Sequence, residues 1–371
     1  MRIGLNAQIL TDGRTGVTRY AHNVIRLLPK VGQNHEFVIF GNSPDLKYEE
    51  KNVIFVPTSK GVNSSVKRIF WEQIILPQLA KKWNIDLMFY PDHTSSLWSK
   101  KIAQAIVLHD LAPIAMPGTF NRFRRLYKQL AIAHSVQDAK VILTDSYATK
   151  AEALRFFPGI GPKINVVHLG LENSIERVTN QELLSNIRKR YALQDPFLLF
   201  VGTLEARKNV PRIIKAFAHG RRKFGWNHTL VLAGTMGYGY KEIKRTIIEE
   251  HVHENITLTG YIRDEELYGL YSLADIFIYP SLYEGFGFPP LEAMRCGCPV
   301  IVSNTTSLPE VVGDAGLYIN PYDETSMITQ INCLIQDDIL KRNLIQKGKE
   351  RSVQFTWEKT VKNTLDVLEH T

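Results

Sequence analysis

One loop in the second half of the chain combines glycines and prolines in the manner of an anion-binding site. An apolar stretch that ends at Tyr279 predicts a strand, and Pro289 or Pro290 can open the following helix, where a missing N–H is tolerated. Gly285 and Gly287 let the backbone approach a ligand closely. The unpaired N–H groups and the positive dipole at the start of a helix suit phosphate oxygens. The segment therefore predicts a strand–loop–helix unit that binds phosphate.

Two glutamates flank this loop, with residues 285–291 between them. Glu292 lies about one turn inside the predicted helix, so it is placed to accept hydrogen bonds from a ribose diol rather than to face phosphate. Glu284 precedes the helix and is placed to face a reacting sugar. A single glutamate near a strand end is usually a solvated or capping residue. The joint position of the two acids around the loop favours a binding site.

Two adjacent cations follow another predicted strand. The strand ends at Gly202, and the loop after it carries Arg207 and Lys208. Both side chains can form charge-assisted hydrogen bonds to a diphosphate as it leaves. The alternative places them in the exposed first turn of a helix, where cations oppose the helix dipole. The diphosphate interpretation is favoured for that reason.

These segments resemble those of the retaining GT-B glycosyltransferases of family four. The likeness rests on the two glutamates separated by seven residues within residues 280–294 and on residues 200–209, and residues 255–267 and 303–316 add to it. The resemblance implies an α/β fold of the GT-B type, in which two Rossmann-like, doubly wound parallel-sheet domains face a cleft. It also implies transfer of a hexose from a nucleotide-diphosphate sugar with retention of the anomeric configuration.

The resemblance assigns further site residues. His109 follows an apolar stretch and resembles the family position beside the transferred sugar, although on chemistry alone a buried structural histidine is the more frequent alternative. Gly16 lies where the family carries a glycine loop that faces the donor phosphates, and the base passes backbone groups near Tyr261. The implied catalytic residues are His109, Glu284, Arg207 and Lys208. The implied donor-binding residues are Gly16, Arg207, Lys208, Tyr261, Ile262, Glu284, Phe286, Gly287, Phe288 and Glu292.

We expect no metal site, because no acidic cluster of the Asp-x-Asp kind stands at a predicted strand end. No cofactor is expected either, since the nucleotide sugar is a substrate. Arg207, Lys208 and the helix start at Pro290 would stabilise the leaving diphosphate instead. The resemblance implies front-face departure and attack through an oxocarbenium-like transition state, and no residue is placed as a covalent nucleophile.

Apolar, β-branched stretches alternate with amphipathic ones along the chain, which is typical of parallel α/β structure. Strands are predicted in the first half at 2–7, 37–41, 52–57, 87–91, 105–110, 141–146 and 165–170, and in the second half at 197–202, 229–234, 255–261, 275–281, 299–304 and 317–321. We expect an acceptor-side domain over 1–172, a linker over 173–194 with a helix at 181–191, and a donor-binding domain over 195–355. A closing helix at 357–369 is expected to return to the first domain as part of 356–371.

With 371 residues, 44% of them hydrophobic and 22% charged, the composition is that of a globular protein long enough for two domains. Three cysteines are too few for a disulfide framework or a paired zinc motif. The amino terminus lacks a signal-peptide pattern, and no apolar run reaches membrane-spanning length. We therefore expect a cytoplasmic protein.

A net charge of +8 favours an anionic partner. Residues 67–79 and 121–128 mix basic and aromatic side chains at helical spacing, so they could contact an anionic lipid surface or a phosphate-linked acceptor. Alternatively, they are core-facing apolar stripes edged by solvated cations. No nucleic-acid-binding motif accompanies them. The expected partners are a nucleotide sugar, a saccharide or polyprenyl-linked acceptor, and the inner face of an anionic membrane, but not nucleic acid.

Other functions share the expected architecture. A sugar-nucleotide epimerase and a pyridoxal-phosphate-dependent phosphorylase are the enzymatic alternatives, and a two-lobed ligand-binding protein is the non-catalytic one. Residues 202–209 look closest to bacterial polysaccharide and O-antigen transferases, which leaves GDP-mannose and UDP-glucose as candidate donors.

Overall fold

Two separate parallel sheets, one in each half of the chain, form the framework. The computed structural model describes residues 1–10, 15–41, 49–58, 65–97, 101–119 and 122–371, with backbone alone at 65, 66 and 122–124. The chain divides into two compact units. Unit 1 comprises Met1–Pro117, Asn121–Gly170 and Thr356–Thr371, and unit 2 comprises Gly118–Phe120 and Leu171–Phe355.

The sheet of unit 1 has seven parallel strands among the described residues. In chain order they are β1 (Arg2–Asn6), β2 (Glu36–Gly41), β3 (Val53–Pro57), β4 (Leu87–Tyr90), β5 (Ala103–Leu108), β6 (Val141–Thr144) and β7 (Ile164–Val166). Their spatial order is β3-β2-β1-β4-β5-β6-β7. The inner strands are almost wholly buried, which explains their continuous apolar sequences. Residues that follow β4, β5 and β6 therefore meet at one edge of the sheet.

The helices of unit 1 that precede its last strand are α1 (Gly16–Val31), α2 (Ser65–Phe70), α3 (Leu76–Lys82), α4 (Ala112–Ala115), α5 (Arg122–Asp138) and α6 (Tyr147–Phe156). A π-helical segment, Trp71–Ile75, joins α2 to α3. One face of α1 is buried through residues such as Tyr20, Val24 and Leu28, as expected for a helix that covers a sheet.

Unit 2 repeats the scheme with six parallel strands within the described part of the chain. They are β8 (Phe197–Val201), β9 (Thr229–Ala233), β10 (Ile256–Gly260), β11 (Ile276–Tyr279), β12 (Val300–Ser303) and β13 (Gly316–Ile319), in the order β10-β9-β8-β11-β12-β13. Its helices are α7 (Gln181–Arg190), α8 (Val210–Phe224), α9 (Tyr240–Glu249), α10 (Asp264–Leu273), α11 (Phe288–Arg295), α12 (Leu308–Val312), α13 (Glu324–Gln336) and α14 (Asp338–Ser352). Because β8 and β11 are neighbours, the loops that follow them lie side by side.

The last helix, α15 (Trp357–Glu369), belongs to unit 1, where it packs on α1. The Trp357 ring lies 6.3 Å from that of Tyr20, measured between centroids. Thr360 donates a hydrogen bond to the His168 carbonyl oxygen at 2.8 Å. Gly170 passes so close to the start of α15 that a Cβ there would lie 2.2 Å from the Trp357 nitrogen. The chain thus closes unit 1 with its carboxyl-terminal helix.

The predicted α/β fold is confirmed, because every predicted strand is present and the helix at 357–369 has the predicted bounds. The prediction extends most strands by one or two residues at the carboxyl end. For example, the strand predicted at 141–146 ends at Thr144, because Ser146 leaves the sheet and caps α6 by accepting a hydrogen bond from the Thr149 nitrogen at 3.0 Å. The predicted strand at 165–170 differs more, since β7 ends at Val166.

Replacing Gly170 with Ala should lower the free energy of unfolding by about 2 kcal/mol, because the new methyl group overlaps backbone atoms that cannot move without displacing α15. Gly161→Ala is the matched control in the same unit, since its Cβ would meet only Leu154 at 3.8 Å. Urea unfolding of both variants measures the effect. Equal stability of the two would contradict this description of how α15 docks.

Candidate active site

The glycine loop of unit 2 leads directly into α11. Gly287 has a φ of 114°, in the region that favours glycine, and Phe288 begins the helix with a proline in its first turn. The Ser307 hydroxyl lies within hydrogen-bond distance of the carbonyl oxygens of Glu284 and Phe286, at 3.0 and 2.7 Å. The loop is therefore held in one conformation, with the start of α11 at its end.

Glu284 is buried between two cations. Lys208 Nζ lies 2.5 Å from Glu284 Oε1, and Arg207 Nη1 lies 3.1 Å from Glu284 Oε2. The Ser281 hydroxyl donates to the same Oε1 at 2.5 Å, and Lys208 Nζ also donates to the Tyr279 hydroxyl at 2.5 Å. Lys208 and Glu284 are 76 positions apart in the chain. The structure thus brings together three of the four predicted catalytic residues. Arg207, Lys208 and Glu284 are called the cation cluster below.

The two cations of the cluster keep Glu284 ionised. Burial alone would raise the pKa of Glu284, but Lys208 and Arg207 outweigh it and hold this pKa at about 2. Burial lowers the pKa of Lys208, and Arg207 lowers it further against the opposing effect of Glu284. Removing one partner of a buried pair leaves the other charge uncompensated. Glu284 is therefore a fixed anion at neutral pH.

Arg207 is the more accessible cation, with 18% of its side chain exposed. It lies in a short 3-10 turn, Ala206–Lys208, that precedes α8, rather than in an open loop or in the first turn of α8 itself. Its Nη2 donates to Glu205 at 2.8 Å and its Nη1 to the Tyr283 carbonyl oxygen at 2.6 Å. Both cations are paired within the protein, so a diphosphate that binds them must compete with Glu205 and Glu284.

Glu292, the second acid of the predicted pair, has a different partner. It is buried on α11 and accepts a hydrogen bond at 3.1 Å from the hydroxyl of Tyr271, which lies on α10. Burial, and after it the Glu292 carboxylate, raise the pKa of Tyr271 well above its usual value, so this hydroxyl remains a donor. The two acids are thus positioned by different means, Glu284 by cations and Glu292 by a tyrosine.

The other predicted donor residues of unit 2 differ in exposure. β10 ends at Gly260, and the Tyr261 side chain that follows is 64% exposed, whereas Ile262 is buried. The rings of Phe286 and Phe288 meet edge to face with centroids 5.7 Å apart. The Phe286 ring also packs against Phe355, with centroids 5.8 Å apart.

Gly16 begins α1 in unit 1. Thr15 caps this helix by accepting from the Thr18 nitrogen at 3.2 Å, and the Thr18 hydroxyl accepts from the Thr15 nitrogen at 2.7 Å. Residues 12–14, which belong to the family-like segment before Gly16, lie outside the described residues. Gly16 is therefore fixed at the amino terminus of a capped helix.

His109 directly follows β5 and is buried in unit 1. Its Nδ1 lies 2.7 Å from Asp145 Oδ2, and its Nε2 lies 3.1 Å from the Pro91 carbonyl oxygen. The Tyr20 ring meets it edge on, with centroids 5.0 Å apart. Burial alone would lower the pKa of His109, but the contact with Asp145 outweighs it and raises this pKa to about 9.

Several partners of the predicted residues are not singled out by the sequence. Asp145 comes directly after β6, at the edge where functional side chains are expected, but the predicted strand runs through residue 146 and hides that position. Tyr271 and Tyr279 read as ordinary core aromatics, because their hydroxyl partners lie on other elements. Ser281 was hidden in the same way, because the strand predicted at 275–281 ends at Tyr279.

Within the described residues, no group of three or more His, Cys, Asp or Glu side chains is arranged to hold a metal ion. Over the same ranges, no helix combines the length and the apolar character that crossing a bilayer requires.

Comparison with known proteins shows the family of the chain. Residues 185–351 match the family described as Glycosyl transferases group 1, and residues 14–174 match Glycosyltransferase Family 4. The O-antigen chain mannosyltransferase B of Escherichia coli is 34% identical over 259 residues, which are 70% of this chain and 68% of that protein. The O-antigen chain mannosyltransferase RfbU of Salmonella typhimurium is 26% identical over 347 residues, 90% of each chain.

A third relative is much longer. The match to the serotype-specific mannosyltransferase WbdA of Escherichia coli has 29% identity over 268 residues, which are 68% of this chain but 32% of WbdA. Among solved structures, Anabaena Alr3699/HepE in complex with UDP and glucose has a TM-score of 0.74 and 17% identity over all of both chains. The two sheets thus define a GT-B fold. The chain belongs to the family-four glycosyltransferases.

Replacing Glu284 with Gln should lower the free energy of unfolding at pH 7 by about 3 kcal/mol, because the buried cations lose their counter-charge. The pKa of this carboxyl is lowered in the folded state, so its contribution is complete above about pH 4.5 and is lost as the pH falls toward about 2. The difference between the wild type and E284Q should therefore shrink over that window.

Denaturant unfolding at pH 7, 5 and 3 measures this difference. Glu254→Gln is the control, because the Glu254 side chain is 86% exposed. A destabilisation of E284Q that is independent of pH would contradict the ion-pair description.

Proposed function

We propose that this chain transfers a mannosyl residue from GDP-mannose to a saccharide acceptor, with retention of the anomeric configuration and without a metal ion. The cation cluster at the carboxyl edge of the unit 2 sheet carries the proposal. Mannose is preferred to glucose because the relatives above are named mannosyltransferases. Residues 195–355 form the donor-binding side in this proposal, and residues 1–172 with 356–371 form the acceptor side.

Arg207 and Lys208 bind the donor diphosphate, together with the N–H groups at the start of α11. When the bond between the anomeric carbon and the phosphate oxygen breaks, the diphosphate gains negative charge, which two cations and a helix start stabilise without rearrangement of solvent. This takes the place of the charge neutralisation that a divalent ion would supply. Gly287 allows the backbone to approach the phosphates closely.

Glu284 acts on the sugar as a fixed negative charge. Because Lys208 and Arg207 keep it ionised, it stabilises the positive charge that develops on the anomeric carbon and ring oxygen of an oxocarbenium-like transition state. The acceptor hydroxyl attacks on the face from which the diphosphate leaves, and its proton passes to a departing phosphate oxygen. No residue of the cluster needs to form a covalent bond to the sugar in this scheme.

The remaining contacts follow the family resemblance. Glu292 accepts hydrogen bonds from the ribose hydroxyls, the backbone at Tyr261 and Ile262 meets the base, and backbone groups of residues 286–288 meet the donor. Gly16 is assigned to the donor phosphates and His109 to the transferred sugar. The acceptor is proposed to be a saccharide of the O-antigen type, free or linked to a polyprenyl carrier, since two relatives bear that name.

Loss of Arg207 should reduce kcat/KM for GDP-mannose by about 10-fold to 100-fold, the range expected for hydrogen bonds to a charged group. The measurement compares wild type, Arg207→Ala and the control Arg245→Ala, whose arginine is exposed on α9. Activity should persist in EDTA. Arg207→Ala with unchanged kinetics would contradict the assigned role.

A melting-temperature panel of GDP, UDP and their sugars tests the donor, because a ligand that binds the native state raises the melting temperature. GDP-mannose is expected to stabilise, and a response to UDP-glucose alone would overturn the choice of mannose. Conversion of the donor to an isomeric nucleotide sugar without acceptor would identify an epimerase, and binding without turnover a receptor. Absorbance of bound pyridoxal phosphate would identify a phosphorylase.

A membrane-facing surface on unit 1 would suit a lipid-linked acceptor. Phe70, Leu126 and Leu130 expose 59%, 57% and 64% of their surfaces on α2 and α5. Burial, and after it the charge of Glu72, raise the pKa of the Tyr127 hydroxyl on α5, and Arg68 of α2 opposes this increase, so Tyr127 lies near α2 and the Trp71–Ile75 segment that follows it. From residue 122 to residue 137, α5 has four cations and no acid. We propose that this basic-apolar surface (Lys67, Phe70, Leu126, Lys128 and Leu130) binds an anionic bilayer.

The double variant Leu126→Ser, Leu130→Ser should lose co-sedimentation with phosphatidylglycerol vesicles, because the apolar contact with the acyl region is removed. Ile248→Ser, Ile339→Ser is the control, with residues 69% and 75% exposed in unit 2. Binding should also weaken as salt is raised. Equal loss in both double variants, or none in either, would contradict the proposed surface.

A further inference from the structure

Three residues after neighbouring strands of unit 1 form a second charged centre. Asp92 lies two positions beyond β4, His109 directly follows β5, and Asp145 directly follows β6. The three strands pair in parallel, so their carboxyl ends share one edge of the sheet. His109 and Asp145 are 6% and 3% exposed. An ionic pair this deeply buried must be satisfied by its immediate neighbours.

The geometry around His109 fixes the protons on its ring. Nε2 lies 3.1 Å from the Pro91 carbonyl oxygen, which can only accept, so Nε2 must hold a proton to make this bond. Nδ1 lies 2.7 Å from a carboxylate oxygen of Asp145, which also accepts. Both ring nitrogens therefore act as donors, and the ring is an imidazolium.

The surrounding charges favour the same state. The charge of Asp92 also raises the pKa of His109, and Asp92 Oδ1 lies 2.8 Å from His93 Nδ1. The Tyr20 ring, on α1, meets the His109 ring edge to face. Burial raises the pKa of the Tyr20 hydroxyl above its usual value, so this hydroxyl stays neutral. The Tyr20 side chain is therefore uncharged and does not oppose a positive charge on His109.

Besides burial, three charged neighbours affect the pKa of Asp145: His109 and His168 lower it, and Asp110 raises it. Burial raises the pKa of Asp145 above its usual value, and the contact with His109 opposes this increase, because the negative charge of Asp145 in turn favours the proton on the more basic imidazole at Nδ1. Asp145 Oδ1 is buried and has no hydrogen-bond partner among the described residues. Oδ2 is therefore the oxygen of Asp145 that holds the His109 ring.

We propose that Asp145 is the positioning residue for His109: it orients the ring through Nδ1 and keeps it an imidazolium, so that Nε2 always holds a proton for an oxygen of the transferred sugar. A sugar oxygen takes over as acceptor from the Pro91 carbonyl oxygen. This inference rests on the proposed function, in which His109 contacts the sugar. It adds a residue of unit 1 to the machinery and states the charge that this residue maintains.

Asp145→Asn tests the role of the charge, because asparagine has nearly the same shape but no charge. Without the carboxylate, burial lowers the pKa of His109 to its usual value of about 6.5 or below, and the ring becomes neutral as the pH rises through that value. In the wild type, the His109 ring keeps its proton up to about pH 9. Its titration should therefore leave the rate of mannosyl transfer nearly constant between pH 6 and 8. In D145N, kcat should fall about 20-fold over the same range, with a smaller change in donor KM.

Asp138→Asn is the matched control. Asp138 Oδ2 lies 3.5 Å from His134 Nε2 in a partly exposed pair on α5. The variant therefore removes an acid beside a histidine in the same unit and leaves His109 and Asp145 unchanged. Its pH profile should follow the wild type. A D145N profile parallel to that of the wild type would overturn the proposal, and recovery of D145N activity at pH 6 separates a lost charge from a damaged fold.

Nitrogen NMR of the histidine rings gives a readout that does not depend on activity. His109, assigned by its loss in His109→Gln, should show two protonated nitrogens from pH 6 to 8 in the wild type and should titrate within that range in D145N. A neutral wild-type ring at pH 7 overturns the proposal even if D145N does not fold. If the ring behaves as expected but His109→Gln transfers mannose normally, the role given to His109 fails. Absence of any mannosyl transfer by the wild type would instead refute the proposed function.

Discussion

The buried pair between Lys208 and Glu284 is the interaction on which the proposed donor site of unit 2 depends. It joins the segment after β8 to the segment after β11, and two further hydrogen bonds reinforce the connection. The Leu282 backbone nitrogen donates to the Arg207 carbonyl oxygen at 2.9 Å. The side-chain amide of Asn209, a residue in a left-handed conformation with a φ of 60°, donates to the Pro280 carbonyl oxygen at 3.2 Å. A charge buried at either position without the other would be strongly destabilising. Folding of unit 2 and assembly of its site are therefore one event.

The two units use the same physical device. In each, a buried acid and a buried cation follow parallel strands and meet at the carboxyl edge, Glu284 with Lys208 in unit 2 and Asp145 with His109 in unit 1. In unit 2 the cations keep the acid ionised, whereas in unit 1 the acid keeps the histidine charged. Charges fixed before the substrate arrives need no reorganisation during the reaction, which is the most effective form of electrostatic catalysis.

The framework was predictable from the sequence because parallel strands covered on both faces are continuous apolar stretches, and the start of α11 was predictable because Gly287 and the prolines have few other uses. The pairing of Glu284 with Arg207 and Lys208 was not, since it depends on β8 lying beside β11 across 76 positions. Asp145 was missed for a local reason: its strand ends two residues earlier than predicted from the apolar pattern, because Ser146 is needed to cap α6.

A crystal structure of the full chain with GDP tests the central claim most directly. The account predicts that oxygens of the two phosphates lie within hydrogen-bond distance of Arg207, Lys208 and the N–H groups that begin α11. A diphosphate bound elsewhere, with both cations still paired only to Glu205 and Glu284, would contradict it.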